Sequence, residues 1–144
     1  MEVQIMIGLI NILNEALDNP YEIGKNDCNL IVLKWIDLFC GTDYMSTARY
    51  DNVKDGLKLF QSIGFTGIEE LIKQHSDEVQ TPILGDIWVA STGLNVTVFQ
   101  HNAHIAVLED HTGFYMNKEA ITEDGKYYRL RKVTKWERVD SVAF

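Results

Sequence analysis

Cysteine is scarce in this chain, with two residues among 144, and so is proline, also with two. Two cysteines are too few for a disulfide framework or a zinc cluster. If Cys28 and Cys40 share one helix, a rise of about 1.5 Å per residue places them about 18 Å apart. A disulfide needs Cα atoms within about 7 Å, so we expect two free thiols.

Basic charge is also in short supply. Lysine and arginine total 13 against 21 acidic residues, which gives a net charge of −8. This balance argues against nucleic acid as the main partner, because a phosphate backbone requires a basic surface. It also disfavours binding to anionic membranes. The basic cluster at Arg129–Lys135 is typical of a solvated strand face.

Long hydrophobic runs are missing as well. The N-terminal apolar stretch is interrupted by Gln4, Gly8 and Asn11 and has no basic segment before it, so we expect no secretory signal peptide. The stretch is shorter than the roughly 20 residues that cross a bilayer. We therefore expect synthesis in the cytoplasm and no membrane insertion.

The length indicates a single domain, residues 1–144, with room for a substantial core. Helical spacing of apolar residues comes first and a period of two comes second, so the sequence predicts an α+β fold with an antiparallel sheet. The predicted helices are 2–17, Cys28–Cys40, Asp51–Ile63 and Ile68–Gln74, followed by a loop at Ser76–Pro82. The predicted strands are Asp86–Ala90, Val96–Phe99, His104–Leu108, Phe114–Asn117 and Tyr127–Val133.

The second predicted helix is apolar on almost every side, which is typical of a helix in the middle of a core. Asn26 and Asp27 are favourable N-cap residues, and Gly41 is a favourable stop. Cys28 is therefore expected to begin a buried central helix.

A helix N-terminus stabilises a thiolate through its free N–H groups and its dipole. A nucleophilic cysteine also needs a base, usually histidine, from elsewhere in the fold. Of the four histidines, His75 and His111 are expected in solvent, and His104 begins a predicted core strand. A cysteine in an apolar helix is more often a packing residue, so Cys28 and His104 alone do not decide the function.

Three sequence motifs extend this pair, in chain order: Tyr21-Glu-Ile-Gly-Lys-Asn-Asp-Cys28, Leu84-Gly-Asp-Ile-Trp-Val89 and Ala103-His-Ile-Ala-Val-Leu108. Together they resemble the NlpC-type branch of the papain-like cysteine peptidase superfamily, over about Tyr21 to Asn117. A closer resemblance is to small members encoded among phage tail genes. It is carried by Gly24–Cys28, Gly41-Thr-Asp43, Arg49-Tyr50, and Trp136 with Arg138.

The resemblance implies a papain-like fold, in which the nucleophile helix packs on a C-terminal antiparallel sheet. Cys28 would be the nucleophile, His104 the general base, and Tyr21 would line the site near the oxyanion. A third catalytic group would lie on the strand after His104. Ungapped counting gives Met116, and a shift of one residue gives Asn117, which would face the other side of the strand. Asn117 is our candidate.

The two aspartates in these motifs are expected to be structural. Asp27 is interpreted as a helix cap and Asp86 as an anchor at the start of a strand. The spacing of histidines and carboxylates suits no metal site, no glycine loop is suited to phosphate, and we expect no cofactor.

The implied function is that of a virion component, a phage tail or baseplate protein that cleaves amide bonds of peptidoglycan stem peptides during cell entry. Its partners would be other phage tail proteins and the peptidoglycan peptide, and it would be made in the host cytoplasm. The alternative is a catalytically inactive structural or assembly component of the tail. A papain-like deamidase or acyltransferase that acts on host proteins is a more distant third.

Overall fold

The computed structural model describes residues 1–132 of the chain. Within them the architecture is α+β, with helices first and a sheet second. The helices are α1 (Val3–Asp18), α2 (Cys28–Cys40), α3 (Val53–Ser62) and α4 (Ile68–Gln74), with a 3₁₀ turn at Tyr44–Ser46. The strands are β1 (Ser76–Val79), β2 (Ile87–Ala90), β3 (Val96–Gln100), β4 (Ala103–Val107), β5 (Phe114–Asn117) and β6 (Gly125–Leu130).

These six strands form one sheet in the order β1-β6-β2-β3-β4-β5. Every adjacent pair is antiparallel. Strands β2 to β5 follow one another as a meander, and β6 returns to pair with β2 on one side and β1 on the other. The edges of the described sheet are therefore β1 and β5.

Helix α2 lies in the core, as its composition predicts. Asp27 caps its N-terminus, and Gly41 ends it in the left-handed conformation (φ 73°), which glycine adopts without a Cβ penalty. Most of its side chains between Leu30 and Ile36 are buried. The Trp35 indole donates a 2.8 Å hydrogen bond to the carbonyl of Gly85, which fixes the helix against the start of β2.

The two faces of the sheet differ in what they pack against. Side chains alternate along a strand, and paired residues share a face. The register therefore assigns each strand residue to one of the two faces. The residues that join the core with the helices include Ile87, Val98, Ile105, Phe114 and Tyr128. Their neighbours Trp88, Thr97, Phe99, His104 and Tyr127 point to the opposite face, which we call the outer face.

Helix boundaries agree with the sequence prediction to within two residues. Residues Cys28–Cys40 and Ile68–Gln74 match at both ends. Helix α3 begins later than predicted, at Val53, because the side chain of Asn52 accepts a 2.9 Å hydrogen bond from the backbone N–H of Asp55 and caps the helix there.

The predicted loop at Ser76–Pro82 is wrong in its first half, which is β1. Asp77 and Glu78 made this segment look like a loop, but they are edge-strand residues that face solvent and form ion pairs with Arg131 and Lys126 of the β6 side. Charged side chains on an edge strand discourage pairing with other chains. The predictions for Val133, Trp136 and Arg138 lie outside the described residues.

Candidate active site

Cys28 is the first residue of α2, and the turn before it is built around the buried carboxylate of Asp27. One oxygen, Oδ1, accepts the backbone N–H of Leu30 at 2.9 Å, which is the helix cap. The other, Oδ2, accepts the backbone N–H of Gly24 at 2.8 Å and the hydroxyl of Tyr50 at 2.6 Å. The expected capping role of Asp27 is confirmed, and its side chain also ties together three segments of the chain.

The environment of the Cys28 thiol favours its neutral form. Burial, and after it the Asp27 carboxylate, raises the pKa of Cys28 to about 12, while the backbone N–H of Cys28 itself acts in the opposite direction. The stabilisation that a helix N-terminus gives to a thiolate is therefore outweighed here. At neutral pH the sulfur carries its proton and is a weak nucleophile.

Tyr21 lies beside this turn, and its role near an oxyanion stays a prediction. Its pKa is raised by burial and then by the Cys28 and Asp27 side chains, which indicates a shared environment. The ring contacts Phe114 edge-on, with centroids 5.5 Å apart. Its backbone N–H donates to the carbonyl of Thr112 at 3.1 Å. Tyr21 is thus fixed against the turn between β4 and β5.

His104 lies on the outer face of the sheet, paired with Phe99 of β3 and Asn117 of β5. Its side chain is buried, and its ring is tilted against that of Phe99 with centroids 5.6 Å apart. Burial lowers the pKa of His104, so the imidazole is neutral at pH 7. A neutral imidazole has a free lone pair and is a competent base where a substrate can reach it.

The strand register shows which of Met116 and Asn117 shares a face with His104. Asn117 lies directly opposite His104 and shares its face, whereas Met116 lies opposite Ile105 and packs against the core. The side-chain Oδ1 of Asn117 accepts a 2.9 Å hydrogen bond from the backbone N–H of Glu119, so one of its lone pairs is already used. Asn117 therefore shares a face with the imidazole, and its catalytic role stays a prediction.

The structure brings the candidate residues together as two pairs, not as one site. Cys28 and Tyr21 pack against the helix-side core, and His104 and Asn117 belong to the outer face. Tyr21 contacts Phe114, which pairs with Val107, about 10 Å along β4 from His104 at 3.4 Å per residue. Within residues 1–132 no hydrogen bond joins Cys28 to His104.

The sequence did not predict the contacts of two residues, Tyr50 and Arg129, with the buried aspartates of these motifs. The Arg49-Tyr50 motif was visible in the sequence, but the contact of Tyr50 with Asp27 depends on a loop that no periodicity describes. The second group is Arg129, which donates from Nε and Nη2 to both oxygens of buried Asp86, at 3.1 and 2.9 Å. Asp86 also accepts the backbone N–H of Ile83 at 2.8 Å, so its expected anchoring role is confirmed.

Neither a metal-binding cluster nor a membrane-spanning helix is found among residues 1–132. No group of three or more histidine, cysteine, aspartate or glutamate side chains there is arranged to hold a metal ion. No helix in the same range is long and apolar enough to cross a bilayer.

Residues 7–122 match the family described as a domain of unknown function, DUF6950. This match covers most of the chain, so the protein belongs to the DUF6950 family. A search of curated proteins gave no significant match, and neither did a search of solved structures.

Proposed function

We propose that this chain is a phage tail-associated protein that uses a papain-like scaffold in a structural or assembly role, without cysteine hydrolase chemistry at Cys28. The tail association rests on the sequence motifs. The papain-like scaffold is supported by a central helix that begins at Cys28 and packs on β3 of an antiparallel sheet. The non-catalytic role is supported by the separation of Cys28 from His104 on opposite faces of that sheet.

Two further features favour this role. The protonated thiol of Cys28 adjoins a carboxylate, and cysteine hydrolases need a cationic or imidazole neighbour there. Oδ2 of Asp27 is occupied by the hydroxyl of Tyr50, so the polar groups of this turn are satisfied by one another and stabilise the scaffold.

Zymography on peptidoglycan tests the non-catalytic role. We expect no clearing by the wild-type protein or by Cys28→Ala. Clearing by the wild type that is lost in Cys28→Ala overturns it. Tail association is tested separately by immunogold labelling of purified virions, in which label on the tail is expected and its absence contradicts the proposal.

The second candidate is a hydrolase that cleaves peptidoglycan stem-peptide amide bonds with Cys28, His104 and Asn117. It is favoured by the start of the central helix at Cys28 and by the cross-strand pairing of a neutral His104 with Asn117. This candidate requires the imidazole to reach the helix side of the sheet. The zymogram distinguishes the two, because only the hydrolase clears the gel.

A further inference from the structure

The segment that connects α2 to α3 is held by side chains at both ends, and we call residues 41–50 the strap. Near its start, the Asp37 carboxylate of α2 accepts the backbone N–H of Tyr44 at 2.8 Å. At its far end, the Tyr50 hydroxyl donates to the Asp27 carboxylate at 2.6 Å. The strap therefore runs from the C-terminal end of α2 back to the turn at the N-terminus of that helix.

A third contact joins the strap to the junction between α4 and β1. The Tyr44 hydroxyl lies 2.5 Å from Nε2 of His75, the residue that directly follows α4. The two rings meet edge-on with centroids 5.6 Å apart, and the Tyr44 ring also meets Phe65 edge-on at 6.4 Å. His75 is half-buried in this contact, not in solvent as its sequence position predicts.

The Tyr44–His75 hydrogen bond in its present form needs a neutral imidazole. A phenol is a stronger acid than the N–H of a neutral imidazole, so the hydroxyl donates and Nε2 accepts. Within residues 1–132 the Tyr44 hydroxyl has no second hydrogen-bond partner. When His75 gains a proton, Nε2 becomes a donor and two hydrogens face each other.

The charges around His75 favour the neutral imidazole. Burial, and after it the Arg131 guanidinium, lowers the pKa of His75, while the Asp37 carboxylate acts in the opposite direction. Arg131 is held beside the ring, because its Nη2 donates to the carbonyl of Gln74 at 2.8 Å and its backbone N–H donates to the carbonyl of His75 at 2.9 Å. Both oxygens of Asp37 already accept backbone N–H groups of the strap.

Two further titratable groups lie near this contact. Sγ of Cys40, at the end of α2, donates to the carbonyl of Arg131 at 3.6 Å and is uncharged as a thiol. The Asp77 carboxylate of β1 pairs with Arg131 at 3.0 Å, but its side chain is 68% exposed and its charge is screened by solvent. Neither group changes the direction set for His75 by burial and Arg131.

We propose that the Tyr44–His75 contact is a pH-sensitive clasp: neutral His75 holds the strap against the α4–β1 junction, and protonation of His75 releases it. The hydrogen bond from Tyr50 to Asp27 at the far end of the strap contains no histidine, so the release is confined to the Tyr44 end. The inference concerns the strap and does not depend on the role assigned to Cys28.

Linkage gives the direction of the pH dependence. The unfolded chain binds a proton at His75 near the ordinary pKa of 6.5, whereas the folded chain binds it only at lower pH. The stabilisation by the clasp is therefore fully present well above pH 6.5 and is lost as the pH falls through that value. Burial also lowers the pKa of His104, which adds a dependence of the same sign, so the experiment must separate the two histidines.

NMR titration of the wild-type chain is the first test. The His75 ring is expected to titrate below 6.5, and the ring signals of Tyr44 are expected to shift with the same midpoint. In Tyr44→Phe the pKa of His75 should move up towards 6.5, because the hydrogen bond to the neutral form is lost. A wild-type pKa at or above 6.5, or an unchanged pKa in Tyr44→Phe, overturns the proposal.

A double-mutant cycle of Tyr44→Phe and His75→Gln is the second test, by urea unfolding at pH 8 and at one pH unit below the midpoint found by NMR. His104 is present in all four proteins, so its contribution cancels. We expect a coupling of about two- to tenfold in the unfolding equilibrium constant at pH 8 and almost none at the acidic pH.

Tyr115→Phe combined with His75→Gln is the matched control, because Tyr115 is 40% exposed on β5, and it should show no coupling at either pH. Equal coupling of Tyr44 and His75 at the two pH values overturns the pH sensitivity of the clasp. Absence of coupling at pH 8 overturns the clasp itself. The wild-type titration needs no substitution, so it decides the question even where a variant fails to fold.

Discussion

At the residue scale, burial and the neighbouring Asp27 carboxylate both oppose ionisation of the Cys28 thiol. Its position at a helix start was readable from the sequence, because Asp27 is a strong cap and the residues that follow are apolar. What the sequence did not reveal is that the capping carboxylate opposes ionisation of the adjacent thiol. The residue that caps the helix therefore adds to the effect of burial in raising the pKa of the cysteine.

The raised pKa of Cys28 predicts how the rate of its alkylation by iodoacetamide depends on pH. With a pKa of about 12, the thiol is protonated at pH 7 and gains thiolate only as pH rises. In a Cys40→Ser background, we expect slow labelling at pH 7 and a rate that grows about tenfold per pH unit up to pH 10. A rate that has already reached a plateau near pH 7 would mean an activated thiolate.

Tyr50 is a second residue whose contribution to stability could not be predicted from the sequence. Its hydroxyl donates a 2.6 Å hydrogen bond to buried Asp27, and a neutral donor to a carboxylate contributes more than an average hydrogen bond. Tyr50→Phe is expected to lower the free energy of unfolding by about 2 kcal/mol in urea denaturation. Tyr115→Phe, on an exposed tyrosine, is the control and should change it little. An equal decrease in the free energy of unfolding for both variants would show that the hydrogen bond to Asp27 does not stabilise the fold.

At the scale of elements, the helices were easier to predict than the strands. Caps, glycine stops and a period of 3.6 are local signals, and they located α2 and α4 to the residue. Strand β1 was missed because its pairing with β6 joins Ser76 to Leu130, far along the chain, and its exposed acids resemble a loop. The sequence pattern of a four-residue segment does not reveal a pairing partner that lies far along the chain.

The β2–β6 pair depends on an ion pair that spans the two strands. Asp86 is buried and Arg129 is 42% exposed on its side chain. Arg129→Gln leaves a buried carboxylate without its cation, and we expect a loss of about 2 kcal/mol in the free energy of unfolding, reduced from the fully buried range by the exposure of Arg129.

Lys126→Gln is the matched control for this experiment. It breaks a pair with Glu78 whose side chains are both about half exposed, and it should cost less than about 1 kcal/mol. Urea denaturation at fixed, low ionic strength compares the two, because urea is uncharged and does not screen the ion pairs. A larger loss for Lys126→Gln would contradict the anchoring role given to Asp86.

At the scale of the whole molecule, the α+β class and the helix-then-sheet order followed from the sequence, but the site did not. Whether His104 points to the helices or away from them depends on strand register, and a change of one residue reverses the answer. The motif around His104 predicts a strand, but it does not predict on which face of the sheet the His104 side chain lies. The placement of Asn117 opposite His104 could be proposed only as one of two choices for the same reason.

The separation of Cys28 from His104 by the sheet is the claim on which the proposed role depends. It is tested most directly by NMR titration of the His104 ring in the wild type and in Cys28→Ser. Burial without a thiolate partner predicts a pKa below the ordinary value of about 6.5 and no change on substitution. A pKa above that value in the wild type, which falls when the sulfur is removed, would show a thiolate–imidazolium pair and contradict the account.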